Sequence, residues 1–511
     1  MRSARLAESR ETHPPPAPAA PARAQSFLLT PRVMMSEKTP QNAEFGECLP
    51  LLLTPVPGPR SVALVSELAR TECPAITARR ARRQRESGVA QDPIVWERSL
   101  GANIEDVDGN IYVDLTGAFA VCGLGHNPPA VVEAARAQVG QLTHAMGDVY
   151  PSRVKIELGV LLAEIAPGDL DQSIFGLSGG DAIQAALKTA AIHTGKPGVI
   201  AFWGGYHGLS YGALSATAYR KEFRAPFLAQ LNSTVQHIPY PDPYRPPFGM
   251  PLDSAPEAIS HAVLSHLRQM LTHPASGAEG LGAILVEPIQ GRGGEVVPPP
   301  GFLRGLRDIC DEFGLVLIFD EIFTGLGRTG ELFACEYDGV IPDILCIGKS
   351  MGGGFPISAA IGRPAIMNSW GASSGEAIHT STFLGNPLGC AMASAAIRTL
   401  IAEDWPARVR QRGKAWLQRL DALRQQFPDL IGEVRGRGLM LGIDLVKDAA
   451  SRQPAGHAAM ALTDFCRQRG YLVLPSGVDG NVLALSPPFV ITDAQADAFF
   501  AVLAEGLAAQ L

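Results

Sequence analysis

A chain of 511 residues, 46% of them hydrophobic and 18% charged, can bury a sizeable core and has room for roughly two to four domains. Its formal net charge of -7 argues against nucleic acid or an acidic membrane surface as a partner, and a local basic run such as TARRARRQR reads as a solvated helix face. No apolar run approaches the roughly 18 residues that span a bilayer, and the eight scattered cysteines form no C-x-x-C pair and no metal-ligand cluster, so a soluble cytoplasmic protein without a structural metal is expected.

Residues 1–60 include THPPPAPAAPARA and LTPVPGPR, which are too rich in proline for regular helix or sheet; they read as a disordered leader, and Met34 or Met35 would serve equally as a start. Residues 61–149 form an N-terminal segment expected to contribute to a smaller domain. In it, GANIEDVDGNIYVDLTG reads as two short strands around a DVDGN turn, since Asp-Gly and Gly-Asn supply the positive φ of a tight hairpin. PPAVVEAARAQVGQL then has helical apolar spacing. Between 150 and 400, helical stretches alternate with the short apolar runs GVIAFWG, GAILVEP, LVLIFDE and ILCIGK. Such runs lack polar alternation, which predicts strands covered on both faces: an α/β domain with a mainly parallel sheet between helices. Residues 401–511, with VRGRGLMLGIDLV, GYLVLPSG and NVLALSPP, read as a smaller α+β domain.

Ligands of open α/β sheets bind beyond the carboxyl ends of the strands. Four such ends carry suggestive groups. In FGLSGGDAIQAALKTA, Gly179 and Gly180 open an amphipathic helix and leave N–H groups for a phosphate, although a tight turn explains them as well. In AFWGGYHG, Tyr206 and His207 follow a strand, where an aromatic ring serves either a planar ligand or the core. Asp320 ends the apolar run LVLIFDE and needs a positive partner, for which a protonated ring nitrogen would serve. Lys349, in PDILCIGKSMGGGFP, follows one strand–helix–strand length later; a lone amine at a buried strand exit is either functional or the surface start of a helix.

A phosphate cradle, a stacking ring, an acid for a ring nitrogen and an amine for an aldehyde are together the needs of pyridoxal phosphate (PLP). With DVDGNIYVDL, SGGDA, YHG, VEPIQG, DEIFTGLGRTG, IGKSMGGGFP and TSTFLGNPLGCA in order from about residue 90 onward, the chain resembles the class III, or ω-type, aminotransferases of fold type I. The resemblance implies a large PLP-binding domain and a small α+β domain built from both chain ends. It implies that Lys349 carries PLP as a Schiff base and shuttles the substrate proton, and that Asp320 keeps the pyridine nitrogen protonated. It further implies that Gly179 and Gly180 hold the phosphate, that Tyr206 stacks on the ring, and that His207 and Glu287 lie close to the cofactor. Thr382 would reach the phosphate of a neighbouring subunit, implying a homodimer. The implied reaction moves an amino group between a primary amine or ω-amino compound and a 2-oxo acid.

Four departures stand out. QGRGG places Arg292 where many relatives have an acid, and NVLALSPP places Ala484 where they have a carboxylate-binding arginine. Arg292 is therefore the candidate substrate-carboxylate ligand, its alternative being a solvent-facing loop residue. Phe323 stands where many relatives have glutamine, and GHNPP lacks the second histidine of the family's usual GHxHP. A racemase or epimerase on the same scaffold, a decarboxylating relative, and a PLP-binding protein without turnover are the competing readings.

Overall fold

The DVDGN turn closes the hairpin expected of it. In the computed structural model, which describes residues 45–74, 85, 93–371 and 375–509, strands β1 (Trp96–Leu100), β2 (Asn103–Asp106) and β3 (Ile111–Asp114) form an antiparallel meander. The Asp106 carboxylate holds the turn by accepting from the amides of Asp108 and Asn110, both at 2.9 Å, while Gly109 takes φ +86°. The helix Pro129–Val139 follows, as its spacing predicts.

The leader expectation fails over residues 45–60. Residues 1–44 lie outside the described residues, as does most of the TARRARRQR run. From Phe45 onward, however, the chain is packed: Phe45 and Val56 are buried, and Leu51 exchanges backbone hydrogen bonds with Ile111. Before the helix Pro59–Thr71 the stretch is irregular, and side chains from the hairpin supply the backbone partners. Asn110 Oδ1 accepts from the amides of Leu53 (2.8 Å) and Thr54 (2.9 Å), and its Nδ2 donates to Asp106 Oδ2. Asn110→Ala strips four such bonds and is expected to cost about 2 kcal/mol in urea unfolding.

The large sheet contains β4 (Gln172–Gly176), β5 (Gly198–Phe202), β6 (Val235–Ile238), β7 (Leu281–Val286), β8 (Val316–Asp320), β9 (Ile344–Ile347) and β10 (Ser358–Gly362), in the order β4-β10-β9-β8-β7-β5-β6. The contiguous strands β6, β5, β7, β8 and β9 are parallel; β10 runs antiparallel to both β9 and β4. Successive residues feed opposite cores. Val199, Ala283, Ile318 and Ile344 pack with Ala182, Ile183 and Ala186 of the helix Gly179–Thr194, while Ile200, Ile284, Phe319 and Leu345 join the larger core on the other face. Burial on both sides is why these strands read as unbroken apolar runs.

The remaining strands are β11 (Ile431–Arg437), β12 (Met440–Leu445), β13 (Tyr471–Leu472), β14 (Leu474–Ser476) and β15 (Val482–Leu485). Four of them make an antiparallel sheet, β11-β12-β15-β14, while β13 pairs in parallel with β3. The two ends of the described chain thus share a sheet. None of the described helices is long and apolar enough to cross a membrane.

Candidate active site

The register Asp320↔Cys346 puts the carboxyl ends of β8 and β9 side by side, so Asp320 and Lys349 converge on one crevice. A cavity of about 350 Å³ opens there, lined by Ser178, Gly179, Gly180, Tyr206, His207, Glu287, Arg292, Asp320, Ile322, Phe323 and Lys349 among others. Lys349 starts a short 3-10 turn with φ +42°, a left-handed conformation that is costly for a side-chain-bearing residue. Its Nζ lies 3.9 Å from the centre of the Phe323 ring. Burial pushes the amine down to about 8 against the opposing pull of Asp320 and Glu287, with Arg292 and Arg328 adding to the depression. At pH 7 about a tenth of Lys349 is then unprotonated and nucleophilic, against less than about a thousandth for an ordinary lysine.

Asp320, 4% exposed, accepts a 2.7 Å hydrogen bond at Oδ2 from His207 Nδ1 and a 3.1 Å bond at Oδ1 from the Ile322 amide. Burial disfavours the charged His207 ring, but the hydrogen bond and charge of Asp320, reinforced by Glu287, raise its pKa above the ordinary value. Glu287 is pinned by the amides of Tyr206 and Gly291, both at 2.9 Å, and burial raises its carboxyl. Its position sets the Tyr206 backbone.

The helix Gly179–Thr194 points its N-terminus at the same cavity. Ser178 and Asp181 form a capping box, which leaves the first-turn amides of Gly179 and Gly180 facing the crevice. A Cβ on Gly179 would meet Ile322 Cδ1 at 2.8 Å, and one on Gly208, at φ +123°, would meet Gly180 Cα at 3.0 Å. Backbone therefore walls this end of the cavity, an arrangement suited to a phosphate. The donor set as a whole fits one group: amides for a phosphate, a buried carboxylate for a ring cation, and a depressed amine for an aldehyde.

Two features were not legible in the sequence. The Arg292 guanidinium sits in an aromatic cage, 4.5 Å from the Tyr206 ring centre, 5.0 Å from Tyr219 and 6.0 Å from Phe223. Tyr219 precedes and Phe223 lies within the short helix Lys221–Arg224. No carboxylate among the described residues pairs with Arg292; Glu295 nearby in sequence is pushed up to about 8 by burial and carries a proton at neutral pH. The second is the close fit around Phe323: a Cβ on Gly291 would come within 2.2 Å of its ring. Thr382 does not line this cavity. It lies on an exposed loop beside Phe383. Ala484 sits on β15 opposite Gly442 of β12.

The family model described as aminotransferase class-III matches residues 85–507. An acetylornithine aminotransferase from Methanopyrus kandleri is 38% identical over 417 residues, covering 82% of this chain and 95% of the relative. An alanine/serine racemase from Pyrococcus horikoshii is 34% identical over 444 residues, covering 87% and 89%. Among solved structures, an (S)-enantioselective omega-transaminase from Thermomicrobium roseum matches with a TM-score of 0.79 at 28% identity, over 88% of this chain and 99% of that one. A PLP-bound amine transaminase from an uncultivated Pseudomonas species matches with a TM-score of 0.76 at 30% identity, over 82% and 96%.

Proposed function

The chain belongs to the class-III aminotransferases, enzymes of fold type I whose cofactor is pyridoxal 5′-phosphate, and from that premise we propose how its residues divide the work and which substrates they take. When bound, PLP supplies a carbonyl for amine exchange and an electron-poor ring that stabilises charge at the substrate Cα. The amides of Gly179 and Gly180 hold the phosphate, Tyr206 flanks the ring, and Asp320 faces the ring nitrogen as its counter-ion. His207 and Glu287 fix Asp320 and Tyr206 in place. Lys349 Nζ anchors the cofactor, and once free it takes the proton from the substrate Cα and returns it elsewhere as general acid.

The donor is a primary amine or ω-amino compound and the acceptor a 2-oxo acid, whose carboxylate binds Arg292. The observation that carries this reading is a caged guanidinium at the cavity wall with no carboxylate partner among the described residues. A charge-assisted bond of this kind contributes about 1.5–3 kcal/mol, so Arg292→Ala is expected to raise KM for the oxo acid by about 10- to 100-fold. The single-turnover rate with an amine that lacks a carboxylate should stay within about twofold. An unchanged KM would remove Arg292 from the site.

The similarity to a racemase supports a second reading. Incubation with amines and amino acids, without oxo acid, separates the two. One carbonyl product released per site supports transamination, whereas enantiomer scrambling without carbonyl product supports racemisation.

A homodimer accompanies this reading, with Thr382 reaching the neighbouring site. Its support is the exposed apolar set Phe119, Tyr150, Ile378 and Phe383, each more than half exposed, the last two within four residues of Thr382 in sequence. A cytoplasmic location suits eight scattered cysteines that contain no C-x-x-C pair.

A further inference from the structure

Two guanidiniums share one tyrosine ring. Tyr219, which helps to cage Arg292 at 5.0 Å, also carries Arg220 at 5.1 Å from its centre. The two cations therefore stand no more than about 10 Å apart, close to one Debye length at physiological salt. Neither pairs with a carboxylate among the described residues. Arg292 has the substrate-carboxylate role proposed above, which leaves Arg220 to be explained.

Arg220 makes a single hydrogen bond. Its Nη2 donates to the Gly477 carbonyl at 3.3 Å, an oxygen that already accepts from the Tyr219 hydroxyl (3.1 Å) and the Gly480 amide (3.0 Å). Its Nε is buried without a partner, so most of the donors of this guanidinium go unanswered by the described residues. The side chain lines a second cavity of about 460 Å³, larger than the cofactor cavity of about 350 Å³, together with Tyr219, Lys447, His457, Met460 and Asp479. Lys447, His457 and Asp479 are exposed, so the cavity is open to solvent.

The charges around this cavity do not cancel. Lys447 Nζ donates to Gln453 Oε1 at 3.4 Å, and the neighbouring Asp448 carboxylate is occupied by the amide and hydroxyl of Ser451. Asp479 is the one carboxylate on the cavity wall among the described residues. Two fixed cations and an imidazole thus face one acid, an excess of positive charge and of N–H donors that suits an oxyanion. The volume leaves room for a molecular body beyond the anionic group.

Gly477 joins this cavity to the substrate pocket. Its carbonyl holds Arg220, while its amide donates to the Arg292 carbonyl at 3.1 Å, which the Ser476 hydroxyl also meets at 3.3 Å. At φ +83° the residue adopts a left-handed conformation that favours glycine.

We propose that this cavity is a second anion site, for a small molecule carrying a carboxylate or phosphate group, and that filling it weakens the hold of Arg292 on the oxo-acid carboxylate. The bound oxyanion forms charge-assisted bonds with Arg220 and Lys447. It lies close enough to Arg292 to oppose a second anion there, and it draws Arg220 from the Gly477 carbonyl, on the residue whose amide fixes Arg292. The second half of the proposal rests on the carboxylate-binding role of Arg292; the site itself does not.

The test uses holoenzyme, so that bound PLP fills the phosphate cradle, with inorganic phosphate and succinate as probes and chloride holding ionic strength constant. Calorimetry should show one saturable site per chain for at least one probe, with a Kd of about 1 mM or tighter, and the tighter of the two identifies the anionic group that the site prefers. Arg220→Gln and the surface change Lys447→Gln should each weaken binding at least about fivefold, while Arg292→Ala should leave it within about twofold. A saturating probe should raise KM for the oxo acid by about two- to fivefold in the parent with kcat unchanged, and should lose that effect in Lys447→Gln, whose basal kinetics match the parent's. No saturable binding, binding unchanged in both Arg220→Gln and Lys447→Gln, or binding abolished by Arg292→Ala alone would overturn the site. A parent KM unmoved at saturation, or moved equally in Lys447→Gln, would overturn the coupling. Should Arg292→Ala by itself leave that KM unchanged, the substrate reading fails while the calorimetric result still decides the site.

Discussion

Lys349→Ala is expected to lower kcat by at least about a thousandfold, because the proposed mechanism makes Lys349 both the covalent anchor and the group that moves the Cα proton. The pocket should still accept PLP, since the Gly179 and Gly180 amides and Asp320 are untouched, but borohydride should no longer fix the cofactor to the protein. In the parent enzyme, borohydride should fix it on the peptide that carries Lys349. The buried amine also sets a pH dependence. Its pKa is depressed to about 8, so the neutral, reactive fraction grows as pH rises toward that value. Covalent capture of PLP by the apo-enzyme should therefore rise about tenfold per pH unit well below pH 8 and level off above it. A capture rate still climbing steeply at pH 9.5 would mean that Lys349 is solvated like an ordinary lysine. Retained turnover in Lys349→Ala would remove it from the mechanism.

Asp320→Asn should be nearly as damaging while leaving the shape of the site intact. The buried carboxylate is the hydrogen-bond partner of His207 and, in the proposed reading, the counter-ion of the ring nitrogen, and breaking one side of such a buried pair costs about 3–5 kcal/mol. A loss in kcat of about 10²- to 10³-fold is expected. The sign of a second effect distinguishes electrostatics from mere misfolding. Because Asp320 raises the His207 pKa, its neutralisation must lower it, and the imidazole signal of His207 in NMR should titrate at lower pH in the variant. An unmoved His207 signal would contradict the role given to Asp320.

The large sheet was legible because its strands are covered on both faces: each apolar run ends within a residue or two of a strand terminus. β10 was not, since Ser358–Gly362 is a run of small residues whose antiparallel course depends on packing between β4 and β9. Phe45–Gly58 was misread because its partners are side chains about fifty residues away, and no local pattern announces the amide of Asn110 as a substitute for a neighbouring strand. For the site, residues at strand ends were accessible to reasoning from sequence, and the structure brings Gly179, Gly180, Tyr206, His207, Glu287, Arg292, Asp320 and Lys349 around one cavity. Thr382 lies apart from it. The aromatic cage escaped notice because Arg292 and Tyr219 are separated by more than seventy residues that include two strands and two α-helices, and only the fold brings them together.

The parallel pairing of Val113 with Tyr471 has a consequence for how the protein is made. At ordinary translation rates of about 5–20 residues per second, the roughly 360 residues between them occupy a ribosome for about 20–70 s. Throughout that interval Leu51 can cover the edge of β3 at Ile111, but the same edge at Val113 has no mate, although Val113 is wholly buried in the finished protein. That part of the nascent hairpin is thus a sticky edge that must be shielded until Tyr471 and Leu472 emerge. Substitutions in Tyr471 or Leu472, remote from the chemistry, should lower the yield of soluble protein more than they lower the activity of the molecules that fold.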